Sequence, residues 1–170
     1  MITTGYQNDK EDRTLLSDTE MIKIDRNGIL SNEPCQLPKY PLRVYGAKGA
    51  QLHNDLVICG GVDIYLGSYA VIPQCFKFDA TTLSWNEIFS MGEKRCFHGM
   101  TTTNDTIFVC GGNSNSSKTC EKFENGRWSY IQSLPTKLSS PCMLAINATT
   151  IVTIGGYDDS GVSKYSLKII

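Results

Sequence analysis

An apolar stretch that ends in two glycines occurs three times in this chain. The stretches are Leu56-Val57-Ile58-Cys59-Gly60-Gly61, Ile107-Phe108-Val109-Cys110-Gly111-Gly112 and Ile151-Val152-Thr153-Ile154-Gly155-Gly156. The glycine pairs begin 51 and then 44 positions apart. An element returning at that spacing marks an array of like supersecondary units, which bury their apolar faces against one another.

The residues between the glycine pairs read as strands and turns. Cys75-Phe76-Lys77-Phe78-Asp79 is an aromatic strand, Ala80 to Ser84 a turn, and Trp85-Asn86-Glu87-Ile88 a second strand. The next unit reads Cys120 to Glu124, a turn at Asn125-Gly126, then Trp128-Ser129-Tyr130-Ile131. Asn-Gly between two aromatic-rich runs is a strong hairpin signal. A break follows at Met91-Gly92 or Leu134-Pro135, and then a strand (Gly99 to Thr103, Met143 to Ile146) that feeds the next glycine pair. No segment holds a 3.6-residue period with caps, which excludes a helical solenoid. The pattern predicts an all-β chain of roughly fourteen strands, four antiparallel strands to a unit, repeated as the blades of an incomplete β-propeller ring. The unit boundaries are 1–42, 43–92, 93–136 and 137–170. The first unit is faint: Ile2 to Tyr6 replaces one glycine, and Glu20 to Asp25, the turn Arg26-Asn27-Gly28 and Ile29 to Asn32 continue it without a Trp. Ser163 to Lys168 reads as one last aromatic strand.

These residues resemble the kelch repeat, whose marks are an apolar strand ending in Gly-Gly, a following aromatic and a later Trp. The sets are Gly60-Gly61/Phe78/Trp85, Gly111-Gly112/Phe123/Trp128 and Gly155-Gly156/Tyr165. Arg95-Cys96-Phe97-His98-Gly99 resembles the opening strand of such a blade, with Arg43-Val44-Tyr45-Gly46 as its counterpart. The resemblance is strong over residues 43–165 and weaker over 1–42. It makes the glycines and tryptophans structural: glycine permits close backbone approach, and Trp fills the space between blades.

Cys59 and Cys110 share one repeat position, and Cys75 and Cys120 share another, three before the strand aromatic. The fourth unit has Ile154 and Val162 at those places, so the two cysteines occur together or are absent together. Inter-strand disulfides Cys59–Cys75 and Cys110–Cys120 are the sharper reading, and four buried thiols the plainer one. With seven cysteines, at least one has no partner within the chain. Acceptor sequons stand at Asn104, Asn115 and Asn147. Paired cysteines and sequons lean toward a secreted or extracellular protein. The absence of a signal-peptide pattern in Met1 to Lys10 leans toward the cytoplasm, and a secreted form would require a signal upstream.

The net charge of −1 offers no basic surface for nucleic acid, and no apolar run approaches the roughly 18 residues that span a bilayer. Cys96 and His98, two apart in one strand, would share a face as a nucleophile pair, but a structural strand is the simpler reading. Cys142, near the His98 position of the next unit, points to a buried slot. Gly46-Ala47-Lys48-Gly49 lacks phosphate-loop spacing. With only His53 and His98, neither a zinc site nor a copper oxidase site is expected, and no cofactor. Asp63, Asp79, Asp158 and Asp159 read as loop or turn carboxylates. Kelch propellers most often bind proteins through loops on one face, so the resemblance implies a non-enzymatic interaction module. The longest such loop, Val62 to Pro73, carries two tyrosines, although part of it could instead extend the flanking strands. Asn113 to Lys118 and Tyr157 to Gly161 are its shorter counterparts. Asp63, Tyr65, Tyr69, Tyr157 and Asp158 are the expected partner contacts. The alternative is a piece of a propeller enzyme of the galactose-oxidase-like or glycan-processing kind. An adaptor for ubiquitin ligation would need a further domain. Two open blade edges would invite a homo-oligomer that closes the ring.

Overall fold

The computed structural model describes residues 6–9, 12–15, 19–21, 35–65, 68–112, 118–148, 150–158, 161–162 and 166–169. They form twenty short strands and no helix, so no helix among them is long and apolar enough to cross a membrane. The N-terminal unit contributes two strand pairs. β1 (Tyr6–Asp9) pairs with β2 (Asp12–Leu15), and β3 (Glu20–Met21) with β4 (Cys35–Gln36). The glycine-poor start at 1–5, the turn at 26–28 and the strand read at 29–32 lie outside the described residues.

Next come β5 (Val44–Tyr45), β6 (Lys48–Leu52), β7 (Asp55–Cys59), β8 (Val62–Tyr65), β9 (Ser68–Val71), β10 (Cys75–Asp79) and β11 (Ser84–Ile88). Four of these make an antiparallel sheet in the order β11-β10-β7-β6. The following blade is β12 (Gly99–Thr103), β13 (Thr106–Cys110), β14 (Cys120–Glu124) and β15 (Arg127–Ile131), hydrogen-bonded in sequence order. The last sheet has three strands, β16 (Cys142–Asn147), β17 (Thr150–Ile154) and, after the small hairpin β18 (Tyr157–Asp158) and β19 (Gly161–Val162), β20 (Ser166–Ile169). Strands β6, β12 and β16 lie side by side as the inner strands of adjacent blades. Four of the strands beyond the fourteen read from sequence arise because segments after two glycine pairs pair with themselves as hairpins, and β5 adds another by pairing with β8.

The two four-stranded blades are packed on both faces, which explains the near-continuous apolar runs before Gly60 and Gly111. Alternate residues of a strand point to opposite faces. Ile58 and Phe76 therefore join Tyr40 and Val44 on the side of the preceding unit. Val57, Cys59 and Cys75 join Met100, Ile107, Val109 and Phe123 of the next blade. The next interface repeats this with Cys110, Cys120, Leu134, Leu138, Met143 and Ile151. Phe78 stands opposite Trp85, and Phe123 opposite Trp128, with ring centroids 5.1 and 5.2 Å apart. Each indole N–H reaches back to the link before its blade. Trp85 Nε1 donates to the Pro38 carbonyl at 3.2 Å, and Trp128 Nε1 to the Phe89 carbonyl at 2.8 Å.

The glycine pairs sit where one blade meets the next. Gly61 N–H donates to the Arg95 carbonyl at 2.8 Å, and Gly112 N–H to the Leu138 carbonyl at 2.9 Å. Gly60 has φ +68°, and a Cβ there would strike the Arg95 carbonyl oxygen. Only glycine meets both demands. These bonds also correct the register of the blade openings. Arg95 corresponds to Val44 and Leu138, one position beyond the Arg43 alignment read from sequence. Phe97, Gly46 and Ser140 then coincide, and all three have left-handed backbone, φ 51°, 68° and 55°. Phe97 N–H donates to the Gly46 carbonyl and Ser140 N–H to the Phe97 carbonyl, both at 2.7 Å, linking the blades through these matching turns.

Arg95 is fully buried and holds one blade opening onto the sheet behind it. Its guanidinium donates to the Gly111 and Thr119 carbonyls, the Thr119 hydroxyl and the Glu121 carboxylate. Glu121, equally buried, also accepts from the Gly92 and Glu93 backbone N–H groups. Because both charges are paired and their polar atoms bonded, the desolvation cost is offset, whereas removal of one partner would leave a lone buried charge.

Candidate functional site

The segment after Gly60-Gly61 leaves the blade as the hairpin β8–β9, with Ile64 opposite Tyr69 and Tyr65 opposite Ser68. Strand β5 adds to it, placing Val44 opposite Asp63. The loop read from sequence is thus largely strand, and Asp63 lies in β8 rather than in a turn. The segment after Gly155-Gly156 does the same in miniature: Tyr157 stands opposite Val162, Asp158 opposite Gly161, and Ser139 bridges to Tyr157. Both hairpins follow the glycine pair of their unit, in the second and fourth units, while residues 113–117 of the intervening unit's loop lie outside the described residues.

Of the expected contact residues, Tyr69 is 60% exposed and Tyr157 59% exposed. Asp63 and Asp158 are half-buried. Tyr65 holds its place in β8, but its side chain is outside the description, as is Asp159. Two aromatics join this surface that sequence reading did not assign to it. Tyr45 meets Tyr69 edge-on with centroids 6.4 Å apart, and Phe97 meets Tyr45 at 5.9 Å. Both come from blade openings, where the left-handed turn at Phe97 and Gly46 brings the rings together. The sequence signal was an aromatic beside that turn, obscured by the one-residue register shift.

The Cys96-Phe97-His98 segment is a turn, not a strand, because Phe97 has positive φ. Cys96 and His98 are both buried, and neither His98 ring nitrogen has a hydrogen-bond partner among the described residues. Burial first, then Arg95 and Lys48, pushes His98 down to about 3, so its imidazole is neutral at physiological pH. A thiol and imidazole sealed in this way lack the access a nucleophile needs. Cys142 corresponds to Gly99 rather than His98, and it is exposed, contrary to the buried slot read for it.

The paired cysteines meet across neighbouring strands. Cys59 is directly opposite Cys75, and Cys110 opposite Cys120, with Cα separations of 4.1 and 4.2 Å and sulfurs at bonding distance. In the last blade Ser166, not Val162, stands opposite Ile154. Asn104 lies exposed in the β12–β13 turn and Asn147 at the end of β16, whereas Asn115 lies outside the described residues. Asp79 caps its turn by accepting the Thr81 and Thr82 backbone N–H groups, which holds its carboxyl below the usual range.

A family model described as the Kelch motif matches residues 94–135. Kelch-like protein 36 of Bos taurus is 29% identical over 109 residues, covering 59% of this chain and 17% of that protein. Kelch-like protein 15 of Homo sapiens is 27% identical over 157 residues, covering 77% of this chain and 25% of that protein. The chain thus spans a quarter or less of the length of these curated relatives. Among solved structures, that of YjhT superposes with a TM-score of 0.67 at 15% identity, covering 81% of this chain and 55% of that one. At that identity the likeness is one of fold.

Proposed function

We propose that this chain, which matches the Kelch motif over residues 94–135 and folds as blades of an open β-propeller, is a non-enzymatic module that binds a partner protein. The binding surface is the end of the blades from which β8–β9 and β18–β19 emerge. The observation that carries this is the exposure of Tyr69 and Tyr157, more than half in each case, on equivalent hairpins. Tyr45 and Phe97 continue the aromatic surface inward from Tyr69. Tyrosine supplies large contact area with few rotamers to freeze, and such residues dominate the energetic centres of interfaces. Asp63 and Asp158 are the polar members of the same surface, and Tyr65 is included as a contact by its position in β8.

The test is quantitative affinity capture with Tyr69→Ala, Tyr157→Ala and Tyr130→Ala chains. Tyr130 is a comparably exposed tyrosine on the outer strand β15 and serves as control. The expected result is a protein retained by the wild type and by Tyr130→Ala but reduced at least about tenfold by the other two, in keeping with an interface anchor. Equal retention by all chains would remove this surface from the function.

We also infer that two copies associate to close the ring. The outward face of the last sheet supports this, because the corresponding faces of the two preceding blades are each covered by the blade that follows.

A further inference from the structure

We propose that Cys59–Cys75 and Cys110–Cys120 are disulfides in the mature protein, and that each clamps the foot of a hairpin or loop on the binding end. The two pairs occupy one repeat position in successive blades. Each joins the residue just before a glycine pair to the first residue of the third strand of its sheet. The segment between the first pair carries the β8–β9 hairpin of the binding end, and the second pair holds the matching position after Gly111-Gly112. One residue beyond each pair, the backbone is tied again: Gly60 N–H donates to the Gln74 carbonyl at 2.9 Å, and Gly111 N–H to the Thr119 carbonyl at 3.1 Å.

Directly opposed cysteines with Cα atoms 4.1 and 4.2 Å apart lie well inside the limit of about 7 Å beyond which the backbone would have to move. All four side chains are fully buried. Cys59 and Cys75 lie beneath Met91 of the link after β11 and Met100 of the next blade, and Cys110 and Cys120 beneath Leu134, Leu138 and Met143. A thiolate reagent cannot reach such sulfurs while the blades are closed. The bonds therefore form as the sheets assemble, and in the folded protein they are structural rather than switchable. In each step two Sγ–H thiols transfer two electrons and two protons to a low-molecular-weight disulfide such as oxidised glutathione. One Sγ–Sγ bond forms, the glutathione S–S bond breaks, and two glutathione thiols leave. Cys96 and Cys142 remain as thiols.

The last unit provides an internal control. Its glycine pair follows Ile154, opposite Ser166, so the Tyr157 hairpin has no clamp. The consequence for recognition rests on the reading of these hairpins as the binding surface, but the chemistry is tested without a partner.

The full chain is refolded in mixed reduced and oxidised glutathione, unfolded without reductant, alkylated and peptide-mapped. Four of the seven cysteines should resist alkylation, linked as Cys59–Cys75 and Cys110–Cys120, and three should react. Seven reactive thiols, or other pairings, would overturn the proposal. Hydrogen exchange then compares this protein with chain refolded in dithiothreitol. The Gly60 and Gly111 amides should exchange at least about tenfold faster when reduced, whereas the Tyr157 amide should not change. Cys75→Ser should loosen only the 60–74 foot and Cys120→Ser only the 111–119 foot. Acceleration of all three feet alike, or of none, would dismiss the clamp even with the bonds present. Loss of partner capture by Tyr69→Ala with unchanged exchange would place the failure in the clamp and not in the recognition surface.

Discussion

At the scale of single residues, the blade junction depends on groups whose roles come from burial. His98 is a fully buried, uncharged imidazole close to two glycine pairs. A Cβ on Gly60 would lie 3.0 Å from His98 Cε1, and one on Gly112 would lie 3.3 Å from His98 Cβ. Its folded value of about 3 lies below the ordinary 6.5, so between those values the unfolded chain binds the proton and the folded chain does not. That contribution is complete above pH 6.5 and declines as pH falls toward 3, by up to about 1.4 kcal/mol per pH unit. Thermal unfolding from pH 7 to 4 should therefore show a fall in Tm that is shallower in His98→Gln. An identical slope in the two chains would exclude His98 as its source. Arg95 and Lys48 contribute to the shift, so the ion pair with Glu121 must be intact in the variant for the comparison to hold.

At the scale of elements, each Trp couples its blade to the link that precedes it. Trp128 packs on Phe123, and its N–H is the donor to the Phe89 carbonyl. Trp128→Phe keeps a ring in place but removes that donor, leaving the carbonyl to find water. Urea unfolding should show a loss of about 1 kcal/mol, the usual worth of one such bond. A change below a few tenths would mean the bond is replaced by solvent at no net cost. Strand type, turn at Asn125-Gly126 and the Phe–Trp register were legible in sequence because period-two burial and turn chemistry are local. The β8–β9 hairpin was less legible. Its residues alternate too weakly to separate a strand from a loop, and pairing with β5 involves residues nearly twenty positions away.

At the scale of the whole molecule, the last sheet shows what an uncovered blade looks like. Cys142 and Leu144 of β16 stand opposite Ile154 and Val152 of β17 on one face. Leu144 is 48% and Ile154 46% exposed, whereas Cys59 and Cys110, the counterparts of Ile154, are fully buried beneath the next blade. A Cβ on Gly155 would meet nothing within 4 Å, unlike one on Gly60. Apolar surface of this kind gains stability when water is removed from it. Light scattering on the eluting chain should give twice the chain mass, and Leu144→Lys combined with Ile154→Lys should give the single-chain mass. A wild-type chain that elutes at single mass would rule out closure by a second copy.

The sequence alone determined the repeat, its strands and its turns, since alternation, glycine pairs and Asn-Gly act over a few residues. It also paired the cysteines by position. What only the tertiary structure decided was the meeting of residues far apart in the chain. Arg95 finds Glu121 and Tyr69 finds Tyr45 across the strands of one unit, and Tyr45 finds Phe97 because stacked blades bring their openings together at one end. The one-residue shift in the blade openings was decided there too. It depends on which carbonyl Gly61 and Gly112 reach in the next blade, a contact between units that no local pattern specifies.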